Sequence, residues 1–158
     1  MKLQMAPMEG ITTYIYRNAH ARHFGKMDKY YTPFLSLHRE KEFNHKEKQE
    51  ILPKHNEGLN VVPQVLTNSS EDFLVAAKKL NDLGYGEVNI NIGCPSGTVT
   101  AKGKGAGMLA NPEGLQRFLE GIFEKTPVDI SIKTRIGMED SEEWERLLSI
   151  YNQYPIKE

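Results

Sequence analysis

Short strand-forming runs alternate with capped, amphipathic helical runs along this chain, and no other feature restricts its fold as strongly. Leu3 to Met8 is an apolar segment closed by Pro7. Thr12 or Thr13 then offers a cap for a helix through Tyr14, Ile15, Ala19 and Phe24, with Gly25 as its stop. Lys29 to Leu35 and Leu59 to Leu66 read as the second and third strands. The charged segment between them, residues 38–56, reads as a solvated helix or long loop. Ser69 and Asp72 open a helix whose apolar stripe runs through Phe73, Leu74, Ala77, Leu80 and Leu83 to Gly84. Glu87 to Ile92 is the fourth strand. Asn111 and Pro112 start a helix with Leu115, Phe118, Leu119, Ile122 and Phe123 on one face, and Val128 to Thr134 is the fifth strand. Asp140 and Glu143 open a last helix through Trp144, Leu147, Leu148 and Tyr151, and Pro155-Ile156 approaches a sixth strand.

Strands separated by helices at this spacing pair in parallel, because each crossover must return the chain to the same end of the sheet. The class is therefore α/β, with two architectures in view. A doubly wound sheet closes with five strands, whereas a (β/α)8 barrel needs roughly 250 residues. The approach to a sixth strand favours a parallel TIM-type barrel truncated after about five β/α units, with residues 1–158 as its N-terminal portion.

Charge and composition exclude several function classes. The formal net charge of −1 argues against a general nucleic-acid coat, so any nucleic-acid site is local. No apolar run reaches the roughly 20 residues that span a bilayer, and the first residues do not read as a secretory leader. One cysteine forms no internal disulfide, which fits a reducing cytoplasm. His20 and His23 are three apart on a helix, but no partner completes a metal-ligand set, so no metal is expected.

That cysteine stands in Asn89-Ile90-Asn91-Ile92-Gly93-Cys94-Pro95. Residues 87–92 alternate apolar and polar, and Gly93 and Pro95 end the ladder, so Cys94 rides on the loop at the C-terminal end of a strand. In a β/α barrel that rim is the reactive face. Taken alone, a lone intracellular cysteine is more often a small buried apolar residue.

Four separated blocks change that reading. Ala6-Pro7-Met8-Glu9-Gly10-Ile11-Thr12, Gln64, Asn91-Ile92-Gly93-Cys94-Pro95 with Lys102 to Leu109, and Ile132 to Gly137 occur in an order that resembles the tRNA-dihydrouridine synthases. The resemblance runs from about Met5 to Gly137. It implies an FMN-dependent (β/α)8 catalytic domain, NADPH as reductant, tRNA as substrate, and a C-terminal helical tRNA-binding domain that is absent from this chain. It also implies hydride delivery from reduced flavin to C6 of a uracil ring, with Cys94 giving a proton to C5.

The remaining roles follow the same resemblance. Pro7 and Met8 lie against the flavin ring, with a strand stop and a core methionine as the plain alternative. Gln64 offers a donor and an acceptor to the flavin edge, and Lys133 a cation to the same cofactor unless it snorkels outward. Asn91 binds the uracil edge or, alternatively, bonds its own loop. Arg135 binds base or phosphate, or forms a surface ion pair. Glycines 103, 105 and 107 bring the loop close to substrate, while Lys102 and Lys104 attract the tRNA backbone. Two other readings stand beside this one: a non-catalytic half-barrel that self-associates through open sheet edges, and an FMN-dependent barrel oxidoreductase acting on a small molecule.

Overall fold

Parallel strands need helices between them, and the computed structural model, which describes residues 1–158, has a helix in every connection except the one-residue break at Pro63. The strands are β1 (Gln4–Met5), β2 (Lys29–Tyr31), β3 (Val61–Val62), β4 (Gln64–Val65), β5 (Glu87–Ile92) and β6 (Asp129–Thr134). The helices are α1 (Tyr14–Phe24), α2 (His45–Ile51), α3 (Ser70–Asp82), the single-turn α4 (Gly97–Thr100), α5 (Pro112–Phe123) and α6 (Trp144–Tyr151). Strands β1, β2 and β3 form one parallel sheet and β4, β5 and β6 a second. Pro63 is the break between them. It has no N–H for the ladder, yet its carbonyl accepts Asn89 N at 2.8 Å. A parallel bridge from Leu35 to Val65 carries the strand order from the first sheet to the second.

The two faces of β5 have different neighbours, although all six residues are buried. Val88, Ile90 and Ile92 join the main apolar core with Phe73, Leu80, Leu115 and Leu119 from the helices. Each such side chain contributes about 1.5–3 kcal/mol on leaving water. Glu87, Asn89 and Asn91 alternate onto the other face, where polar groups of neighbouring strands meet them. Helices on one face and polar side chains on the other depart from the doubly wound arrangement, in which helices cover both.

Caps account for the helix starts. Ser69 Oγ accepts Asp72 N at 3.2 Å and Asn111 Oδ1 accepts Gly114 N at 3.0 Å. Asp140 and Glu143 form a capping box at the turn leading into α6. Thr13 occupies the N-cap position of α1 without a side-chain cap bond, and Tyr14 N donates instead to Glu50 Oε2 at 2.7 Å.

Several expected boundaries and faces differ. The strand expected over residues 3–8 is ordered as sheet only at Gln4–Met5, because Pro7 withdraws a donor and the following loop folds on itself. On α1 the apolar residues Ile15, Ala19 and Phe24 are exposed, and the fully buried residue is Arg17. The segment 38–56 is not simply solvated: α2 carries Glu50 and Ile51 into the interior, followed by buried Asn56. Beyond α6, Lys157 N donates to Ile130 O and Ile132 N to Glu158 O, both at 2.8 Å, which places residues 157–158 alongside β6.

Candidate functional site

Register brings the polar residues of the inner face together. Gln64 pairs with Asn89 and Asn89 with Ser131, so three strands present these side chains side by side, while Asn91 pairs with Lys133 one step further along. Gln64, Asn89, Asn91 and Ser131 are all buried. Asn89 Nδ2 donates to Ser131 Oγ at 2.9 Å, Gln64 Nε2 to Asn89 Oδ1 at 2.7 Å, and Asn91 Nδ2 to Gln64 Oε1 at 2.9 Å. Asn91 Oδ1 then accepts Gly93 N at 3.1 Å and Cys94 N at 3.0 Å. The asparagine therefore bonds its own loop, as one of the two sequence readings held, and retains one N–H for any ligand.

The cysteine loop is fastened on its other side as well. Cys94 O accepts Ala106 N at 3.0 Å, and Arg135 Nε donates to Gly93 O at 3.0 Å. Gly105 has φ +56°, and a Cβ there would stand 2.7 Å from Cys94 O and 2.9 Å from Val99 Cγ1. Only glycine meets both demands. The glycines were expected to bring the loop to substrate; Gly105 brings it against Cys94 itself. The thiol is half-buried.

A cavity of about 340 Å³ opens beside this loop at the C-terminal ends of the strands. It unites Pro7, Met8, Gln64, Asn91, Cys94, Lys133 and Arg135, and adds Glu9 and Phe34, which sequence reasoning did not single out. Met8 is exposed and Pro7 half-buried. Glu9 is exposed, and partial desolvation raises its carboxyl pKa from the ordinary value, with Lys46 opposing that shift. A second cavity of about 190 Å³ shares Pro7 and Lys133 with the first and adds Tyr31 and Asn89. Lys133 thus faces both cavities, although it is exposed and not enclosed. Lys102 and Lys104 are not among the lining residues. Lys102 is exposed, with its carbonyl accepting Asn68 Nδ2 at 2.9 Å, and Lys104 N donates to Val99 O at 3.2 Å.

A further cavity, of about 520 Å³, lies at the opposite strand ends. Its charged groups answer one another: Lys29 bonds Glu87 at 2.9 Å and Lys157 bonds Asp129 at 2.7 Å. Burial works against the Lys29 ammonium, but its hydrogen bonds to Glu158 and Glu87 prevail and raise its pKa.

A second buried cluster supports the loop that carries Met8. Met8 N donates to Thr12 Oγ1 at 2.8 Å, and Arg17 Nη1 donates to Thr12 O at 2.9 Å and Glu50 Oε2 at 3.0 Å. Arg17 Nη2 reaches Glu50 O at 3.0 Å and Asn56 Oδ1 at 2.8 Å. Burial lowers the arginine's pKa, and Glu50 opposes that shift. Nothing local in the sequence marks Arg17, whereas Asn89 carries a detectable signal: it is two residues before Asn91, on the same face of a strand. His20 packs near Phe24 and Tyr30 while His23 is exposed, and no group of three His, Cys, Asp or Glu side chains is arranged to hold a metal ion. No helix is long and apolar enough to cross a membrane.

Comparison with known proteins agrees with this arrangement of blocks. The family model described as dihydrouridine synthase matches residues 4–152. The chain is similar to a probable tRNA-dihydrouridine synthase of Staphylococcus epidermidis, 27% identical over 144 residues covering 89% of this chain and 43% of that protein. It is 32% identical over 100 residues to the tRNA-dihydrouridine(20/20a) synthase of Vibrio parahaemolyticus, covering 63% of this chain and 31% of the relative. A probable tRNA-dihydrouridine synthase 2 of Bacillus subtilis is 25% identical over 149 residues, 92% of this chain and 44% of that protein. The chain thus spans less than half the length of these relatives. With the family match running from β1 through α6 and enclosing every residue of the cysteine-side cavity, the chain belongs to the dihydrouridine synthase family.

Proposed function

We propose that this chain forms the cysteine-bearing, N-terminal portion of a (β/α)8 barrel that reduces uridine to 5,6-dihydrouridine in tRNA. The observation that carries the reading is the placement of Cys94 on the rim of one cavity with Gln64, Asn91, Lys133 and Arg135. The remaining strands and a C-terminal helical tRNA-binding domain belong, on this reading, to sequence outside residues 1–158, and the site of action is the cytoplasm.

The residues present fit FMN. Gln64 keeps one N–H and one lone pair after its bonds to Asn89 and Asn91, which suits a ring edge that alternates donors and acceptors. Lys133 would offer its cation to the cofactor's electron-rich oxygens, and Pro7 and Met8 would wall the ring, since all three line this cavity. When bound and reduced by NADPH, FMN supplies the hydride for C6 of the uracil ring. Cys94 Sγ holds the proton that C5 receives, and a thiol is a far better acid near neutral pH than a hydroxyl. Asn91 directs its one unspent N–H at a uracil carbonyl. Arg135 holds the loop through Gly93 O and leaves its terminal nitrogens for base or phosphate. A base reaches this rim only after leaving its stack. Lys102 and Lys104, away from the cavity, meet the tRNA backbone outside the reacting centre.

Cys94→Ala tests the assignment. The variant retains FMN, read by flavin absorbance after removal of unbound cofactor, while dihydrouridine formation in the full-length enzyme falls by at least about 100-fold. Undiminished product from the variant removes Cys94 as proton donor.

A second reading has its own observation. Ile11, Ile15 and Phe24 lie exposed on and beside α1, Phe24 at 82%. A chain that covers this face with a second copy, through the open edge of β1, sediments as a dimer and retains no flavin.

A further inference from the structure

The buried relay from Ser131 to Cys94 has a direction. A backbone N–H only donates, so the atom of Asn91 that accepts Gly93 N and Cys94 N must be its oxygen. Asn91 then has only its NH2 to offer Gln64, which must present Oε1; Gln64 in turn presents Nε2 to Asn89 Oδ1, and Asn89 presents Nδ2 to Ser131. The hydroxyl at the far end either donates or accepts, so it imposes no direction of its own. Reversing any one amide sets two oxygens or two NH2 groups face to face, at a cost of about 1–3 kcal/mol for each stranded buried group.

We infer that the seated Cys94 loop selects, through Asn91, the orientation of the Gln64 amide at the cavity, and that Asn89 and Ser131 are positioning residues that keep it there. When residues 93 and 94 withdraw their N–H groups, the two directions of the relay become nearly equivalent. The loop and the Gln64 edge are then coupled sites, joined by one two-state chain of amides. The relay stands on the protein's own hydrogen bonds; its consequence for a ligand at Gln64 rests on the FMN reading above.

Two substitutions of equal charge separate this from a general electrostatic effect. In Asn91→Asp the carboxylate still accepts both loop N–H groups but cannot donate to Gln64, so Gln64 and Asn89 both reverse. In Asn89→Asp the carboxylate accepts from Gln64 as before, and only the Ser131 hydroxyl turns. Side-chain amide NMR on the full chain reads the direction. In the unmodified protein and in Asn89→Asp, the Gln64 NH2 protons show NOEs to the β-protons of residue 89. In Asn91→Asp they move to those of residue 91. Gln64 NOEs that stay on residue 89 in Asn91→Asp overturn the directed relay. If neither variant folds, the unmodified chain still decides, since NOEs from the Gln64 NH2 to Asn91 in that protein overturn it equally.

FMN titration of the same three proteins tests the coupling. Asn91→Asp weakens binding by about tenfold or more relative to Asn89→Asp. Equal weakening overturns the selection of ligand by Gln64 orientation. A full-length protein that shows the expected NOEs but binds no FMN sinks the functional reading and leaves the relay supported.

Discussion

The protein buries two polar networks, one neutral and one ionic, and they hold different things. The relay of Gln64, Asn89, Asn91 and Ser131 joins three strands and lines the cavity with amides that still have donors to offer. The cluster of Arg17, Glu50 and Asn56 joins α1 to the 38–56 segment beneath the Met8 loop, and all but one of the arginine's side-chain nitrogens are engaged. An ion pair repays its own desolvation only when geometry and surrounding hydrogen bonds are good, so a charged cluster suits a joint that does not move. Neutral amides are cheaper to bury and can reverse without moving charge, which suits a wall that meets a ligand.

Three substitutions put this contrast at risk, the largest effect first. Arg17→Ala leaves Glu50 buried without its partner and lowers stability by about 3–5 kcal/mol, measured as the shift in urea midpoint at constant m-value. A loss below about 1 kcal/mol would mean that water reaches Glu50 and the ionic joint is not a rigid one. Gln64→Leu strands Asn89 Oδ1 and Asn91 Nδ2 and costs about 1–3 kcal/mol, while amide exchange at Gly93 and Cys94 accelerates more than at Ile90 of the same strand. Uniform acceleration along β5 would reduce the relay to ordinary core packing. Gly105→Ala, forced into φ +56° against Cys94 O, costs about 1–3 kcal/mol and speeds alkylation of the one thiol; unchanged reactivity would separate the loop's seating from its glycine.

The smallest effect is a pH dependence outside both networks. Glu143 accepts N–H bonds from Met138 at 2.8 Å, Glu139 at 3.0 Å and Asp140 at 2.9 Å, and these hold its carboxyl below the usual glutamate range. A depressed carboxylate pKa stabilises the folded state above the unfolded value of about 4.3, and that contribution is lost as pH falls through the folded value. Acid therefore loosens the turn leading into α6, and Glu143→Gln flattens this part of the stability curve below about pH 4.3. An identical acid limb in the variant would assign the dependence to other carboxylates.

Helix starts were legible because caps act locally: Ser69, Asn111 and Asp140 each bond an amide two or three residues on. Residues on the inner face of β5 were legible for a related reason, since strand alternation places Asn89 and Asn91 on one side before any partner is known. The inner face of α1 was not. Its apolar residues Ile15, Ala19 and Phe24 are exposed, and Arg17 turns inward because Glu50 and Asn56, 33 and 39 residues away, meet its guanidinium. Periodicity counts apolar residues and cannot register a cation that is buried because it is paired. Lys102 and Lys104, read from the sequence as contacts for a tRNA backbone, do not line the Cys94 cavity.

Sequence by itself determined the α/β class, the parallel sense of the strands, the caps at Ser69, Asn111 and Asp140 and the placement of Cys94 at a strand exit, because these depend on neighbours within a few positions and on the geometry of one crossover. Tertiary structure alone decided that Ser131, Asn89, Gln64 and Asn91 form one directed chain ending on the Cys94 backbone. Those residues belong to three strands whose register fixes which amide meets which, and a hydrogen bond requires about 3 Å in space regardless of separation along the chain.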